Sequence, residues 1–112
     1  DINLYNAGSD VRDFMHVDDV SRAMMLCIEK APLNEIINIG SGTPQKFGEV
    51  MKYVRERTNS NSVFHDVDPP DFHKKVQVKD MYLDTTKLRS LGFTPEKNFW
   101  DQIDKIIEIS KE

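Results

Sequence analysis

The chain has 112 residues, 38% hydrophobic and 30% charged, and this length and composition suit a single domain. The net charge of -4 argues against binding to nucleic acid or to anionic membranes, because both attract basic surfaces. Cys27 is the single cysteine, so no internal disulfide is possible, and no apolar run approaches the roughly 18 residues that span a bilayer. We therefore expect a cytoplasmic protein.

Apolar periodicity predicts the elements of the first half of the chain. Residues 1–6 alternate between apolar and polar types, which predicts a short strand. Helical spacing of apolar residues from Val17 to Ala31 predicts a helix that Pro32 ends. The isoleucine-rich residues 36–39 predict a mostly buried strand before a tight glycine turn, and the apolar spacing over residues 47–54 predicts a second helix.

Strand and helix patterns continue in the second half. Residues 63–67 predict an edge strand before two prolines, and residues 76–81 show a further polar-apolar alternation. Asp84 is the predicted N-cap of a short helix that Gly92 ends, and the last helix is predicted to begin at Asn98. We predict one α/β domain over residues 1–112, a small mixed lobe with three main helices and short strands that lacks a Rossmann sheet.

The sequence does not contain complete catalytic machinery. A dinucleotide-binding turn needs a third glycine at position 45, which is Gln45 here. Cys27 lies on the apolar face of a predicted helix, where packing is its expected role. The tyrosine-lysine pair four residues apart that lowers a phenol pKa for hydride-transfer chemistry is missing after each tyrosine: Tyr5, Tyr53 and Tyr82. We therefore predict no catalytic residue in this chain.

The loop over residues 65–73 contains two histidines and three aspartates. Such residues ligate metals, but this spacing matches no compact zinc pattern, and we predict no metal site. A small hydrolase built on this loop is a third possible function, although no nucleophile, base and orienting group occur together there.

Three motifs occur in a characteristic order: GSDVRDFMHVDDV at residues 8–20, NIGSG at residues 38–42 and KLRSLGFTP at residues 87–95. Together they resemble the carboxyl-terminal part of an extended short-chain dehydrogenase/reductase, in the NAD-dependent nucleotide-sugar epimerase/dehydratase family. The resemblance covers nearly the whole chain. Because the chain starts at Asp1 without an initiating methionine, we expect it to be a piece of a longer protein.

The resemblance implies a division of labour between two parts of such an enzyme. An amino-terminal Rossmann domain, outside this chain, would hold NAD and the tyrosine-lysine pair, while this lobe would bind the nucleotide diphosphate of the sugar substrate. The family arginine that contacts phosphate corresponds to Arg12, and a guanidinium pairs well with phosphate oxygens. The alternative for Arg12 is a surface ion pair with Asp10 or Asp13. We expect structural roles at the helix start for His16 and Asp19.

A second part of the substrate site is implied by the stretch DPPD at residues 68–71. In the family this stretch carries an arginine on phosphate and an aspartate near the ribose, so Asp71 corresponds to the ribose ligand. Asp68 replaces the arginine and would repel a diphosphate. Lys75 or Lys74 is the candidate that supplies the missing positive charge from a displaced position.

The sequence therefore predicts a substrate-binding lobe that is inactive without its Rossmann domain and contains no NAD site of its own. Its predicted partners are a nucleotide-diphosphate sugar, the Rossmann domain and, when the lobe is isolated, a second copy of itself, because exposed apolar area favours association. The alternative function is a stand-alone binding or interaction module that kept the fold without the chemistry.

Overall fold

Two separate two-stranded sheets form the β-structure of the computed structural model, which describes residues 1–111. β1 (Ile2–Tyr5) and β4 (Phe64–Val67) are parallel, with Leu4 opposite Asp66, whereas β2 (Val11–Asp13) and β3 (Pro44–Lys46) are antiparallel. The predicted strands at residues 1–6 and 63–67 are confirmed. Within residues 1–111 neither sheet extends to a Rossmann sheet, and the predicted mixed α/β class is confirmed.

Helices account for most of the remaining regular structure of residues 1–111. The three long ones match the predictions: α1 (Val17–Lys30), α2 (Phe47–Arg57) and, after two shorter helices, α5 (Phe99–Ser110). The shorter ones are α3 (Asp71–Val76) and α4 (Thr86–Ser90). The last helix is predicted to begin at Asn98, and Asn98 is its N-cap, since its side-chain oxygen accepts a hydrogen bond of 3.1 Å from the Asp101 amide.

The predicted boundaries of α4 are close to the observed ones. The prediction of Asp84 as the N-cap is wrong by one residue, because Thr85 occupies that position. The Asp84 carboxylate still accepts the Thr86 amide at 2.9 Å and so satisfies a free amide of the first turn. Gly92 follows the helix with a φ of 96°, a left-handed conformation that glycine adopts without strain. This glycine allows the chain to turn from α4 toward the buried Phe93.

The centre of the hydrophobic core lies between α1 and α4. Ala23, Leu88 and Phe93 are buried together there. Partly buried hydrophobic residues surround them: Met15, Leu26, Cys27, Ile37 and Ile39. Cys27 therefore packs against the core, as predicted from its place on the helix.

A second contact joins α2 to α5 through aromatic residues. The rings of Tyr53 and Trp100 lie 4.7 Å apart, and the Tyr53 hydroxyl donates a hydrogen bond of 2.9 Å to the Asp104 carboxylate. Aromatic pairs at this distance add to the stability that burial provides. α5 is therefore held to the lobe by polar as well as apolar contacts.

Two glycines bring the turn after β1 against the start of α2. A Cβ atom on Gly8 would lie 2.5 Å from the Cα of Gly48, and Gly8 also has a positive φ of 75°. Any larger residue at either position would push backbone from backbone. This close approach fixes β1 beside α2 at one edge of the cavity described below.

The prediction of a strand over residues 36–39 is wrong. Those residues form no strand in the structure, which describes residues 1–111. Ile37 and Ile39 face the core, but Ile36 is 84% exposed. The β-branched pattern is present, yet no neighbouring strand offers backbone groups to pair with it. The apolar side chain of Ile36 therefore lies at the surface.

The residues after Pro70 also differ from the predicted loop and alternation. Asp71 begins α3, with an acidic residue in its first turn and basic residues in its last, a charge order that stabilises helices. Within residues 76–81, only Asp80 forms a β-bridge, which is parallel to Val11 of β2. The alternation therefore produces one bridge beside β2 rather than a strand.

The molecule is a slab of 48 × 39 × 18 Å with a radius of gyration of 16.8 Å, whereas about 13 Å is typical of a compact domain of this length. Large apolar side chains are exposed on one side of α1, which we call the outer face of α1: Val17, Met24, Met25 and Ile28. No helix in residues 1–111 combines the length and the apolar character that crossing a membrane requires.

Candidate functional site

A cavity of about 490 Å³ lies between β1, β2 and the start of α2. Tyr5 comes from β1, Arg12 from β2 and Phe47 from α2, and the loop after α3 adds Gln77. We call this cavity the Arg12 groove. Its walls combine aromatic rings, a guanidinium and an amide, a mixture typical of small-molecule sites.

The Arg12 side chain is held by backbone carbonyls. Its Nη1 atom donates hydrogen bonds of 2.7 Å to the Val11 oxygen and 2.9 Å to the Lys79 oxygen. Neither Asp10 nor Asp13 forms an ion pair with Arg12, as both carboxylates bind other groups in the part of the chain that the structure describes. Nη1 alone meets the two carbonyls, and within residues 1–111 the Nε and Nη2 donors of Arg12 make no hydrogen bond to the protein.

A buried carboxylate lies in the same groove. Asp10, which directly precedes β2, is 7% exposed and lines the cavity with Arg12. The amides of Asn6 and Gln77 each donate to it at 3.3 Å. Two donors therefore partly compensate its negative charge beside the cation.

The other predicted binding residues lie in α3, outside the lining of the Arg12 groove. Asp71 and Lys75 are exposed, and within residues 1–111 no hydrogen bond or ion pair joins either of them to Arg12. α3 contacts the groove through His73, whose ring lies 5.4 Å from that of Tyr5. The structure therefore brings α3 near the groove but does not bring Asp71 or Lys75 into it.

Asp13 forms the most complete polar cluster of the lobe. Its carboxylate accepts hydrogen bonds from the Ser41 amide at 2.9 Å, the Ser41 hydroxyl at 2.6 Å, the Gly42 amide at 3.0 Å and the Leu83 amide at 3.2 Å. Partial burial raises the pKa of Asp13, but the hydrogen bonds from Ser41, Gly42 and Leu83 outweigh it, so the pKa lies below the ordinary value. We call this cluster the Asp13 junction.

Asp19 makes a similar connection at the start of α1. It is 2% exposed and accepts the amides of Glu96 at 3.2 Å and Lys97 at 3.1 Å, together with the Arg22 guanidinium at 3.2 Å. Burial raises its pKa, and these hydrogen bonds lower it further than burial raises it. Asp19 thus ties α1 to the segment before α5.

His16 has the structural role that the sequence predicted. Its Nδ1 atom accepts a hydrogen bond of 3.0 Å from the Asp18 amide, which makes it the N-cap of α1. His16 also lines a largely apolar cavity of about 520 Å³ between α5 and the segment that follows β2, with Phe14 and Trp100. Because Nδ1 is an acceptor in the cap, the proton of the neutral ring lies on Nε2.

The glycine turn at residues 40–42 does not fit a dinucleotide. Such a site needs the amino end of a helix directly after the turn, but β3 follows here. A Cβ atom on Gly42 would lie 2.5 Å from Nη2 of Arg89, and one on Gly40 would lie 2.8 Å from Oδ2 of Asp13. The packing of this lobe explains these glycines, and we derive no NAD chemistry from them.

The histidine-rich loop does not converge on one point. His65 pairs with Asp1 at 3.2 Å, whereas the Nδ1 atom of His73 lies 3.3 Å from the Gln77 side-chain oxygen. Within residues 1–111 no cluster of three or more histidine, cysteine or acidic side chains has the geometry of a metal site.

Sequence reasoning did not single out Tyr5, Phe47 or Gln77 as site residues. Each lies in a different element, and only the fold brings them around Arg12. Asp13 was visible inside the motif, but its four donors come from two later segments. A turn-forming sequence such as residues 40–42 indicates a close approach without naming its partner.

Comparison with known proteins supports the resemblance. The profile of the NAD dependent epimerase/dehydratase family matches residues 1–40. The chain is 28% identical to GDP-L-fucose synthase 1 of Arabidopsis thaliana over 106 residues, which is 94% of this chain and 31% of that protein. It is 31% identical over 100 residues to the ADP-L-glycero-D-manno-heptose-6-epimerase of Brachyspira hyodysenteriae, covering 88% of this chain and 31% of that protein.

Solved structures show the same fold. The UDP-glucose 4-epimerase of Thermotoga maritima, solved with UDP-glucose, aligns with a TM-score of 0.83 and 28% identity over 100% of this chain and 36% of its own. The dTDP-glucose 4,6-dehydratase of Streptomyces venezuelae aligns with a TM-score of 0.83 and 25% identity over 97% of this chain and 33% of its own. The chain thus spans about one third of these relatives. Its similarity to the carboxyl-terminal part of NAD-dependent epimerases and dehydratases is confirmed.

Proposed function

We propose that this chain is the substrate-binding lobe of an NAD-dependent nucleotide-sugar epimerase or dehydratase. The lobe binds the nucleotide diphosphate of the sugar in the Arg12 groove. The observation that carries the proposal is an arginine aimed by two backbone carbonyls, and not by a carboxylate, at the edge of a cavity of about 490 Å³.

The guanidinium of Arg12 supplies the charge that a diphosphate needs. With Nη1 bonded to carbonyls, Nε and Nη2 form an edge that matches two phosphate oxygens. Charge-assisted hydrogen bonds of this kind contribute about 1.5–3 kcal/mol each. Arg12 is therefore the residue whose loss weakens binding most.

The rest of the groove suits the nucleoside. Tyr5 and Phe47 offer aromatic faces against which a base or ribose packs, and Asn3 offers an amide donor and acceptor. Asp71 hydrogen-bonds ribose hydroxyls in this proposal, and Lys75 adds positive charge near the phosphates when α3 closes toward the groove. Both residues lie in a helix that already contacts Tyr5 through His73.

The lobe contributes positioning and performs no reaction alone. In the whole enzyme, a Rossmann domain outside this chain would hold NAD, and the bound NAD would supply reversible hydride chemistry at the sugar. The groove residues fix the nucleotide so that the sugar projects toward that domain, and fixing reactants in one geometry removes much of an activation barrier.

The surface of the lobe supports a domain partner. The accessible area is 8081 Å² for 13.0 kDa, whereas a compact monomer of this mass exposes about 6,300 Å². This excess of about 1,700 Å² on one molecule is roughly twice the ~800 Å² that each partner buries in a standard interface, and it matches the larger obligate interfaces. We propose that the outer face of α1 and Ile36 pack against the Rossmann domain, and that a second copy covers them when the lobe is alone.

Calorimetric titration of the chain with UDP-glucose, GDP-mannose and dTDP-glucose tests the proposed function. We expect millimolar or tighter binding of at least one of them, and a loss of about tenfold or more in Arg12→Ala, with partial recovery in Arg12→Lys. Lys105→Ala removes the same charge from exposed α5 and is the matched control.

Two outcomes would contradict the proposed function. Equal affinity in wild type and Arg12→Ala would show that the nucleotide binds outside the Arg12 groove. Absence of binding to all three nucleotide sugars would favour the alternative of a stand-alone interaction module.

A further inference from the structure

The residues after α3 run along β2 and contact each residue from Asp10 to Asp13. We call residues 77–83 the strap. The Lys79 oxygen of the strap accepts a hydrogen bond from the Val11 amide, and the Met81 amide donates one to the Val11 oxygen, both at 2.9 Å. At its far end the Leu83 amide donates to Asp13 at 3.2 Å. The strap is therefore fixed to the strand that carries Arg12.

The strap also determines where the Arg12 guanidinium lies. The Lys79 oxygen that accepts the Val11 amide also accepts Nη1 of Arg12, at 2.9 Å. A shift of the strap away from β2 would remove this acceptor. Arg12 would then lose one of the two carbonyls that orient it.

Gln77 is the strap residue whose side chain lines the Arg12 groove. Its amide nitrogen donates to Oδ2 of Asp10 at 3.3 Å, and its amide oxygen lies 3.3 Å from Nδ1 of His73. It thus joins α3, the strap and the buried carboxylate of the groove. In the part of the chain described here, Asn6 provides the other side-chain hydrogen bond to Asp10.

Asp10 and Arg12 line the same cavity and are two residues apart in the sequence. The Asp10 carboxylate is therefore an alternative partner for the guanidinium. The Gln77 donor occupies one oxygen of that carboxylate. Without this donor, an Asp10–Arg12 ion pair would remove the charge that a phosphate needs.

We propose that Gln77 is a positioning residue that keeps Arg12 available for phosphate, by anchoring the strap beneath the guanidinium and by occupying the Asp10 carboxylate. This inference rests on the proposed function, because it assigns Gln77 an effect on phosphate binding through Arg12. Gln77 itself makes no contact with the phosphate.

The experiment titrates the chain with UDP and with GDP, and continues with the nucleotide that wild type binds more tightly. We expect Gln77→Ala to weaken binding about three- to tenfold, the cost of ordering one long side chain anew. In a double-mutant cycle, Arg12→Ala with Gln77→Ala should bind no more weakly than Arg12→Ala alone, because Gln77 acts through Arg12.

A rescue variant separates positioning from a general structural role. Asp10→Asn keeps an acceptor for Asn6 but cannot hold Arg12 in an ion pair. We expect Asp10→Asn with Gln77→Ala to bind within twofold of Asp10→Asn alone. Val76→Ala, an exposed neighbour outside the strap that does not line the groove, is the control and should bind as wild type does. Thermal unfolding of every variant checks that it is folded.

Each contrary result has a distinct meaning. If Arg12→Ala weakens binding and Gln77→Ala does not, the positioning role is overturned and the proposed function stands. Additive losses in the double mutant, or no rescue by Asp10→Asn, overturn it in the same way. If wild type binds neither UDP nor GDP, both the positioning role and the proposed diphosphate site are wrong.

Discussion

The Asp13 junction and the outer face of α1 lie in the same small lobe but differ in how completely they are partnered. At the junction, one carboxylate meets four donors from two distant segments. On the outer face, Met24 and Ile28 are exposed, Ile28 to 77%. A partly buried charge requires its partners within the chain, because burial without hydrogen bonds costs several kcal/mol. Apolar surface tolerates water at a cost proportional to its area.

This difference indicates which parts of the lobe are complete. The polar junction and the Arg12 groove are assembled by the chain itself, so their geometry is present in isolation. The outer face of α1 and residues 36–39 are the parts that we propose a partner covers. Function that depends on the groove should therefore survive in the isolated chain, while the exposed face should control its association.

Asp13→Ala should disrupt the Asp13 junction and have the largest effect of the three predictions. It removes four hydrogen bonds and leaves the Ser41, Gly42 and Leu83 amides without an acceptor, so we expect a loss of about 2–4 kcal/mol in the free energy of unfolding. Urea denaturation measures it. Asp68→Ala removes an exposed carboxylate that makes no hydrogen bond or ion pair within residues 1–111, and an equal loss in this control would disprove the role of the junction.

Ile28→Glu changes the outer face of α1 and should weaken self-association without lowering the stability of the monomer. A charge in the centre of the outer face should raise the dissociation constant for self-association about tenfold, because a buried unpaired charge opposes contact. Light scattering over a concentration series measures the mass. Glu29→Gln, the exposed neighbour in the same helix, should associate as wild type does. A wild-type chain that is monomeric throughout would refute self-association.

Acid should lower the free energy of unfolding by weakening the hydrogen bonds of Asp13 and Asp19. We expect this to be the smallest of the three effects. The pKa values of Asp13 and Asp19 are below their ordinary value of 3.8, so their ionised forms stabilise the folded state. That contribution is fully present above the unfolded pKa and disappears as the pH falls through the folded one. Urea unfolding between pH 7 and pH 3 should show a shallower loss in Asp13→Asn than in wild type, and parallel curves would contradict this explanation.

Much of the fold could be predicted because its signals are local. The start of α5 near Asn98, the spacing from Val17 to Ala31 and the end of α4 at Gly92 each depend on a few neighbouring residues. Residues 36–39 show where local signals fail, because a strand forms only where a second strand supplies hydrogen-bond partners. Their isoleucines predict a strand, but no such partner lies beside them within residues 1–111.

The candidate site could be predicted only in part. Arg12 was identified from its motif, and its freedom from Asp10 and Asp13 could not be read from the sequence because all three are close neighbours. Whether Arg12 pairs with a carboxylate depends on Gln77, Ser41 and Leu83, which lie later in the chain and donate hydrogen bonds to Asp10 and Asp13. Long-range hydrogen bonds of this kind are set by the fold and leave no local pattern.

The thickness of the slab, 18 Å, has a thermal consequence. Unfolding a thin molecule hydrates less new apolar surface than unfolding a sphere of the same mass, and the heat-capacity increment of unfolding follows that surface. The lobe alone should therefore fall below the usual increment of about 12–15 cal/mol/K per residue, and its stability curve should be broad and shallow. Once a partner covers the slab, the same sequence acquires the steeper curvature of an ordinary globular domain.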